Sequence, residues 1–138
     1  MRTTEIDFES LRAAAGDLPP HQPVFMLNLV RYRERADYGD RAGVEPCDGR
    51  TAYHQRYIPV WRVLAPASAQ LVWFGAALGH LVAPSDERWH DVGIVKYPSI
   101  AVFQQLVDSP RYAAEAAHHR RAALEDWRLL VLSKVELE

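Results

Sequence analysis

The chain has little of what usually betrays a function. A single cysteine, Cys47, stands among 138 residues, which excludes an intramolecular disulfide and fits a reducing compartment. No apolar run approaches the roughly 20 residues that span a bilayer. The stretch around Glu5, Asp7 and Glu9 lacks the apolar core of a secretion signal, so the expectation is a cytoplasmic protein without a membrane partner. An excess of charge of one sign is also lacking. Sixteen Lys and Arg against eighteen Asp and Glu leave a net charge of -2, which gives no global attraction for nucleic acid. There is no HExxH, CxxC, GxSxG or P-loop, no solenoid repeat and no low-complexity tract. Metal, nucleotide and covalent-serine mechanisms therefore have no positive support, and no cofactor is expected; haem, for which one histidine suffices, stays open.

What is present suits one soluble domain. Apolar types make up 49% and charged types 25%, the ordinary globular mixture. Residues 1–22 form an N-terminal helical extension in which Phe8, Leu11 and Ala15 recur at helical spacing, Gly16 is a candidate stop and Pro19-Pro20 bars continuation. The main domain is expected over 23–138. Val24 to Val30 is a strand apolar on both faces, interrupted by Asn28. Arg31 to Arg50 is polar and turn-rich, longer than an ordinary connection and in the position of a lid. A helix follows to Leu64, with Tyr53, Tyr57, Val60, Trp61 and Leu64 on one face and Pro59 as a candidate kink. Ala69 to Phe74 is a second strand, and His80-Leu81-Val82 resumes an extended pattern beyond Gly75 and Gly79.

Trp89 to Arg121 organises the second half. Val92, Ile94 and Val95 read as a strand, Pro98 ends it and Ser99 caps a helix. Asp108-Ser109-Pro110 restarts a helix with Ser109 at the N-cap and Pro110 in the first turn. Trp127 to Val135 is the last strand. The order is β-α-β-β-α-β, an α+β fold of the ferredoxin-like kind with a four-stranded antiparallel sheet. Two helices cover one sheet face and leave the other apolar, which predicts a homodimer closing two sheets into an α/β barrel.

With this order, Tyr97-Pro98-Ser99 at a strand end, Ser109-Pro110-Arg111-Tyr112 at a helix start and Arg120 or Arg121 after it, residues 23–135 resemble the dimeric α/β-barrel superfamily. They come near small families related to EthD-like proteins and antibiotic-biosynthesis monooxygenases. The resemblance implies a pocket between sheet and helices, with the chemistry open among oxygenation, cyclisation and isomerisation, in secondary metabolism among other settings.

The candidate site residues follow from chemistry. Asn28 is a polar interruption of an apolar strand: it either bonds its neighbours or points into the pocket as a donor. His80 is read as general acid or base near neutral pH, with a surface histidine as the bland reading. Tyr53, Tyr57 and Trp61 on the helix, and Trp73 on the sheet, are core or the walls of a cavity for a flat ligand. Lys96 holds an anionic substrate or extends to solvent. His54 lies one position off the helix stripe, as a solvated residue would, with a catalytic role as the lesser reading. His118 and His119 are adjacent, so a helix would splay them by about 100° and deny them a shared metal. These residues point to a small enzyme acting on an apolar or aromatic small molecule without a cofactor. The alternative is a non-catalytic small-molecule-binding or accessory protein of the same fold.

Overall fold

The computed structural model describes residues 1–138. Helix α1 (Phe8–Asp17) starts where the Asp7 carboxylate accepts from the Ser10 amide, an N-cap bond that satisfies one of the free first-turn amides. It runs through Gly16 and stops a residue later, at Leu18, which is extended as a residue before proline must be. Strand β1 (Val24–Tyr32) leads into the 33–48 loop. Helix α2 is one continuous rod in three parts, Gly49–Thr51, a π-helical Ala52–Tyr57, and Ile58–Leu64, capped by Asp48. The strands β2 (Gln70–Ala76) and β3 (Asp91–Tyr97) flank a turn-rich arm. Helix α3 (Ile100–Asp108) is capped by Ser99 and helix α4 by Ser109, as the sequence predicts. The latter carries a π-helical Tyr112–Ala116 and an α-helical Ala117–Ala123. Strand β4 (Leu124–Leu132) follows without a loop.

The result is an α+β fold with one antiparallel sheet in the order β2-β3-β1-β4, consistent with the ferredoxin-like arrangement. Register assigns the faces. Val24, Met26, Asn28 and Val30 of β1 lie opposite Tyr97, Val95, Gly93 and Asp91 of β3, and all turn toward the helices. Phe25, Leu27 and Leu29 turn to the other face with Val92, Ile94 and Lys96, and no helix covers them.

Three details depart from expectation. Strand β4 begins at Leu124, three residues before Trp127, and ends at Leu132, because Leu124 is fully buried opposite Tyr32 at a register shift; the acidic Glu125 and Asp126 are tied to Arg31 and Arg128. The segment at His80-Leu81-Val82 is not a strand: Leu78, Leu81 and Val82 are 97–99% exposed on the arm. The rings of His118 and His119 are not splayed apart but lie 4.0 Å centroid to centroid.

The 33–48 loop is docked on the ends of α2 and α4. Asp37 and Arg33 donate backbone bonds to Ala122 and Ala123, Ala36 to Cys47, and Arg56 holds the Glu45 carbonyl. Gly49 is where the loop passes closest: a Cβ there would fall within 3.0 Å of backbone atoms of Arg33 and Ala123, so no larger residue fits.

Candidate functional site

The helix-facing side of the sheet encloses an apolar cavity of about 80 Å³, open at one side, between the four strands and helices α2, α3 and α4. Its walls include Met26, Val30, Phe74, Val95, Phe103 and Leu129. Of the residues singled out from sequence, Asn28, Tyr53, Tyr57 and Trp61 line this cavity together. The other three lie elsewhere. Trp73 pairs with Ile94 on the uncovered face and is 52% exposed. Lys96 pairs with Phe25 on that same face, its Nζ 5.7 Å from the phenyl ring. His80 sits on the exposed arm, where its Nε2 accepts from the Trp89 backbone amide. No residue of the 33–48 loop lines the cavity.

A bulge explains Trp73. The pairing of β2 with β3 skips Val72 between Leu71 and Trp73, and an extra residue reverses the in-out alternation beyond it. Leu71 and Phe74 therefore reach the cavity.

At one end of the cavity two hydroxyls meet. Tyr57 and Tyr112 lie 2.7 Å apart, oxygen to oxygen. The buried Arg120 donates to the Tyr112 hydroxyl at 2.8 Å and to Glu5 at 3.1 Å. The same guanidinium stacks on Trp127 at 4.9 Å, whose indole N–H donates to Asn28 Oδ1 at 3.0 Å. Burial pushes the Tyr53, Tyr57 and Tyr97 phenols well above their ordinary range, so all three stay protonated at neutral pH.

A second polar group occupies the same sheet face at the edge of the cavity. Asp91, 2% exposed and opposite Val30, accepts the Tyr32 hydroxyl at 2.6 Å and Arg50 at 3.1 Å on the same oxygen. His54 Nε2 lies 3.0 Å from that oxygen and 3.0 Å from the Tyr32 oxygen. A carboxylate only accepts, so Nε2 is the ring nitrogen that carries a hydrogen toward it, and in the neutral ring Nδ1 is the acceptor. The His54 side chain is 33% exposed, and Arg50 lies over the Tyr32 ring at 4.8 Å. The cluster abuts the cavity through two of its walls: Phe74 meets the His54 ring edge-on at 5.6 Å, and Tyr53 is 5.6 Å from Tyr32. Burial together with the nearby Tyr32–Asp91 bond raises the Tyr32 phenol far beyond titration.

Sequence periodicity missed His54 and Asp91. The π-helical turn over Ala52–Tyr57 breaks the 3.6-residue spacing on which a helix stripe is read, so His54, one position off that stripe, still meets the sheet. Asp91 is legible only as an acid at the start of an apolar strand. No group of three or more His, Cys, Asp or Glu side chains is arranged to hold a metal ion.

No family model and no curated protein matches the chain. Among solved structures, it is similar to the protein of unknown function RPA0582 from Rhodopseudomonas palustris, at 32% identity and a TM-score of 0.80, over 99% of this chain and 100% of that one. The methylated form of RPA0582 gives 33% identity and a TM-score of 0.79 over 98% and 96%. A hydroxynitrile lyase from Passiflora edulis shares the fold at 18% identity and a TM-score of 0.54, over 86% of this chain and 99% of that one.

Proposed function

The chain belongs to the family of RPA0582, a protein of unknown function from Rhodopseudomonas palustris, and on that premise we propose that it is a homodimeric enzyme acting on an apolar or aromatic small molecule by proton transfer. The observation that carries this reading is the His54–Asp91 pair at the edge of an apolar cavity. The buried Asp91 carboxylate fixes the imidazole tautomer, leaving Nδ1 as the base. As Nδ1 takes a proton, Asp91 stabilises the imidazolium, and the Arg50 guanidinium beside it offsets the charge left on the substrate. Isomerisation and cyclisation need no more than such a transfer. In oxygenation dioxygen is the oxidant: it takes up the carbanion's electron pair to give a hydroperoxide once protonated, and loss of water, which breaks the O–O bond, leaves a ketone. No cofactor enters these steps.

Cavity size limits the substrate. About 80 Å³ falls short of the ~150 Å³ dry cavity that takes up benzene, so a small ring such as cyclopentanone fills the enclosed part and reaches into its open side. A larger aromatic ligand would extend through the open side.

A non-catalytic binding protein is the second reading. It is favoured by the cavity wall itself, whose titratable groups are tyrosines and the exposed Arg62, with the base one layer away. Cyclopentanone in D2O separates the two. An enzyme exchanges the α-protons at least 100-fold faster than its His54→Gln variant, followed by proton NMR. Binding without exchange above the buffer rate leaves the binding protein.

A further inference from the structure

We infer that the Tyr57–Tyr112 pair, backed by Arg120, is a subsite for an acceptor oxygen, so that the cavity selects small molecules carrying a carbonyl or another lone-pair oxygen. This deepens the small-molecule reading above and rests on its cavity, though not on the His54–Asp91 base.

The two hydroxyls carry one hydrogen more than their protein partners accept. A guanidinium has no acceptor, so the contact from Arg120 occupies a lone pair of the Tyr112 oxygen. The two hydroxyls bring two hydrogens, and their mutual contact at 2.7 Å consumes one. Whichever oxygen donates in that contact, one O–H is left over. No protein carbonyl, carboxylate or ring nitrogen accepts it, and both tyrosines line the cavity. A buried donor without a partner costs free energy that a ligand acceptor recovers.

Two further features make the same selection. The Asn28 carbonyl is taken by Trp127 at 3.0 Å, while its amide N–H makes only a long 3.3 Å contact to the Met26 carbonyl two residues back on its own strand. The amide facing the cavity is thus also a donor. Behind both, Arg120 is 2% exposed and its Nε has no partner at all. This cation is only partly compensated by Glu5, whose side chain is 53% exposed, and it favours oxygen bearing partial negative charge. A hydrocarbon of the same shape leaves all of these groups unanswered.

The test compares two probes of one shape, cyclopentanone and methylenecyclopentane, by NMR titration of the full chain. The wild type binds the ketone about tenfold more tightly, equivalent to about 1.4 kcal/mol, and the bound ketone's carbonyl carbon shifts downfield as a hydrogen-bonded carbonyl does. In Tyr57→Phe/Tyr112→Phe the preference falls by at least threefold, the Asn28 amide keeping the remainder, while the hydrocarbon still binds, which also shows the cavity intact. Should that variant fail to fold, the wild-type ratio and the carbonyl shift decide alone. Equal affinity for the two probes, without a carbonyl shift, overturns the acceptor subsite and leaves the cavity reading standing. Binding of neither probe overturns both.

Discussion

The Tyr32 hydroxyl donates to Oδ2 of Asp91 across 2.6 Å, and that one oxygen also receives Arg50 and lies 3.0 Å from His54 Nε2. Three side chains are thus oriented by one carboxylate that is almost fully shielded from water. Asp91→Ala takes the buried carboxylate away from the Tyr32 hydroxyl, Arg50 and His54 together and is expected to lower stability by about 3 kcal/mol. Tyr32→Phe removes one charge-assisted bond and costs about 2 kcal/mol. Urea unfolding measures both, and values below a few tenths would show that the cluster is solvated in solution.

Trp127 and Asn28 are coupled across the cavity wall at 3.0 Å. Asn28→Ala strands a buried indole N–H, at a cost of about 2 kcal/mol. The same substitution in a Trp127→Phe background, where no N–H remains, should cost about 1 kcal/mol less. Additive losses in this double-mutant cycle would mean that the hydrogen bond contributes nothing.

His119 governs a pH response on the far side of α4. Its Nδ1 lies 2.7 Å from the Tyr38 hydroxyl, and its ring packs on His118. Burial, then His118, Arg56 and Arg41, lower its pKa from 6.5 to about 4. His118 is lowered as well, by burial and by Arg41 and Arg121. The unfolded chain therefore binds more protons than the folded one between these values, and stability falls as pH drops from about 6.5 toward about 4. Denaturant midpoints across this window should slope less in His118→Gln/His119→Gln. An unchanged slope would place the effect on other groups.

The proposed homodimer uses the uncovered sheet face, where Trp73 and Leu130 are 52% and 44% exposed. An apolar surface of this extent normally marks a partner. Light scattering should give twice the 15.7 kDa chain mass, and Trp73→Glu should return the monomer. A wild-type monomer at micromolar concentration would remove the barrel from the proposal.

Local signals alone determined much of this molecule. Ser99 and Ser109 are N-caps, Pro98 ends β3, and the runs from Val24 and from Val92 are strands, because caps, prolines and β-branched runs act through bonds and sterics within a few residues. The same near-range logic placed Asn28, Tyr53, Tyr57 and Trp61 where they share a cavity. Tertiary structure decided the rest. Two π-helical turns, over Ala52–Tyr57 and Tyr112–Ala116, reset the helix faces and brought His54 to Asp91 and Tyr112 to Tyr57. One bulge at Val72 put Trp73 on the opposite face, and the arm left His80 capping a backbone amide. The π-helical turns and the bulge are insertions into a regular period, set by the partners they satisfy, and a pattern of near neighbours holds no information about Asp91, 37 residues from His54, or Tyr112, 55 residues from Tyr57.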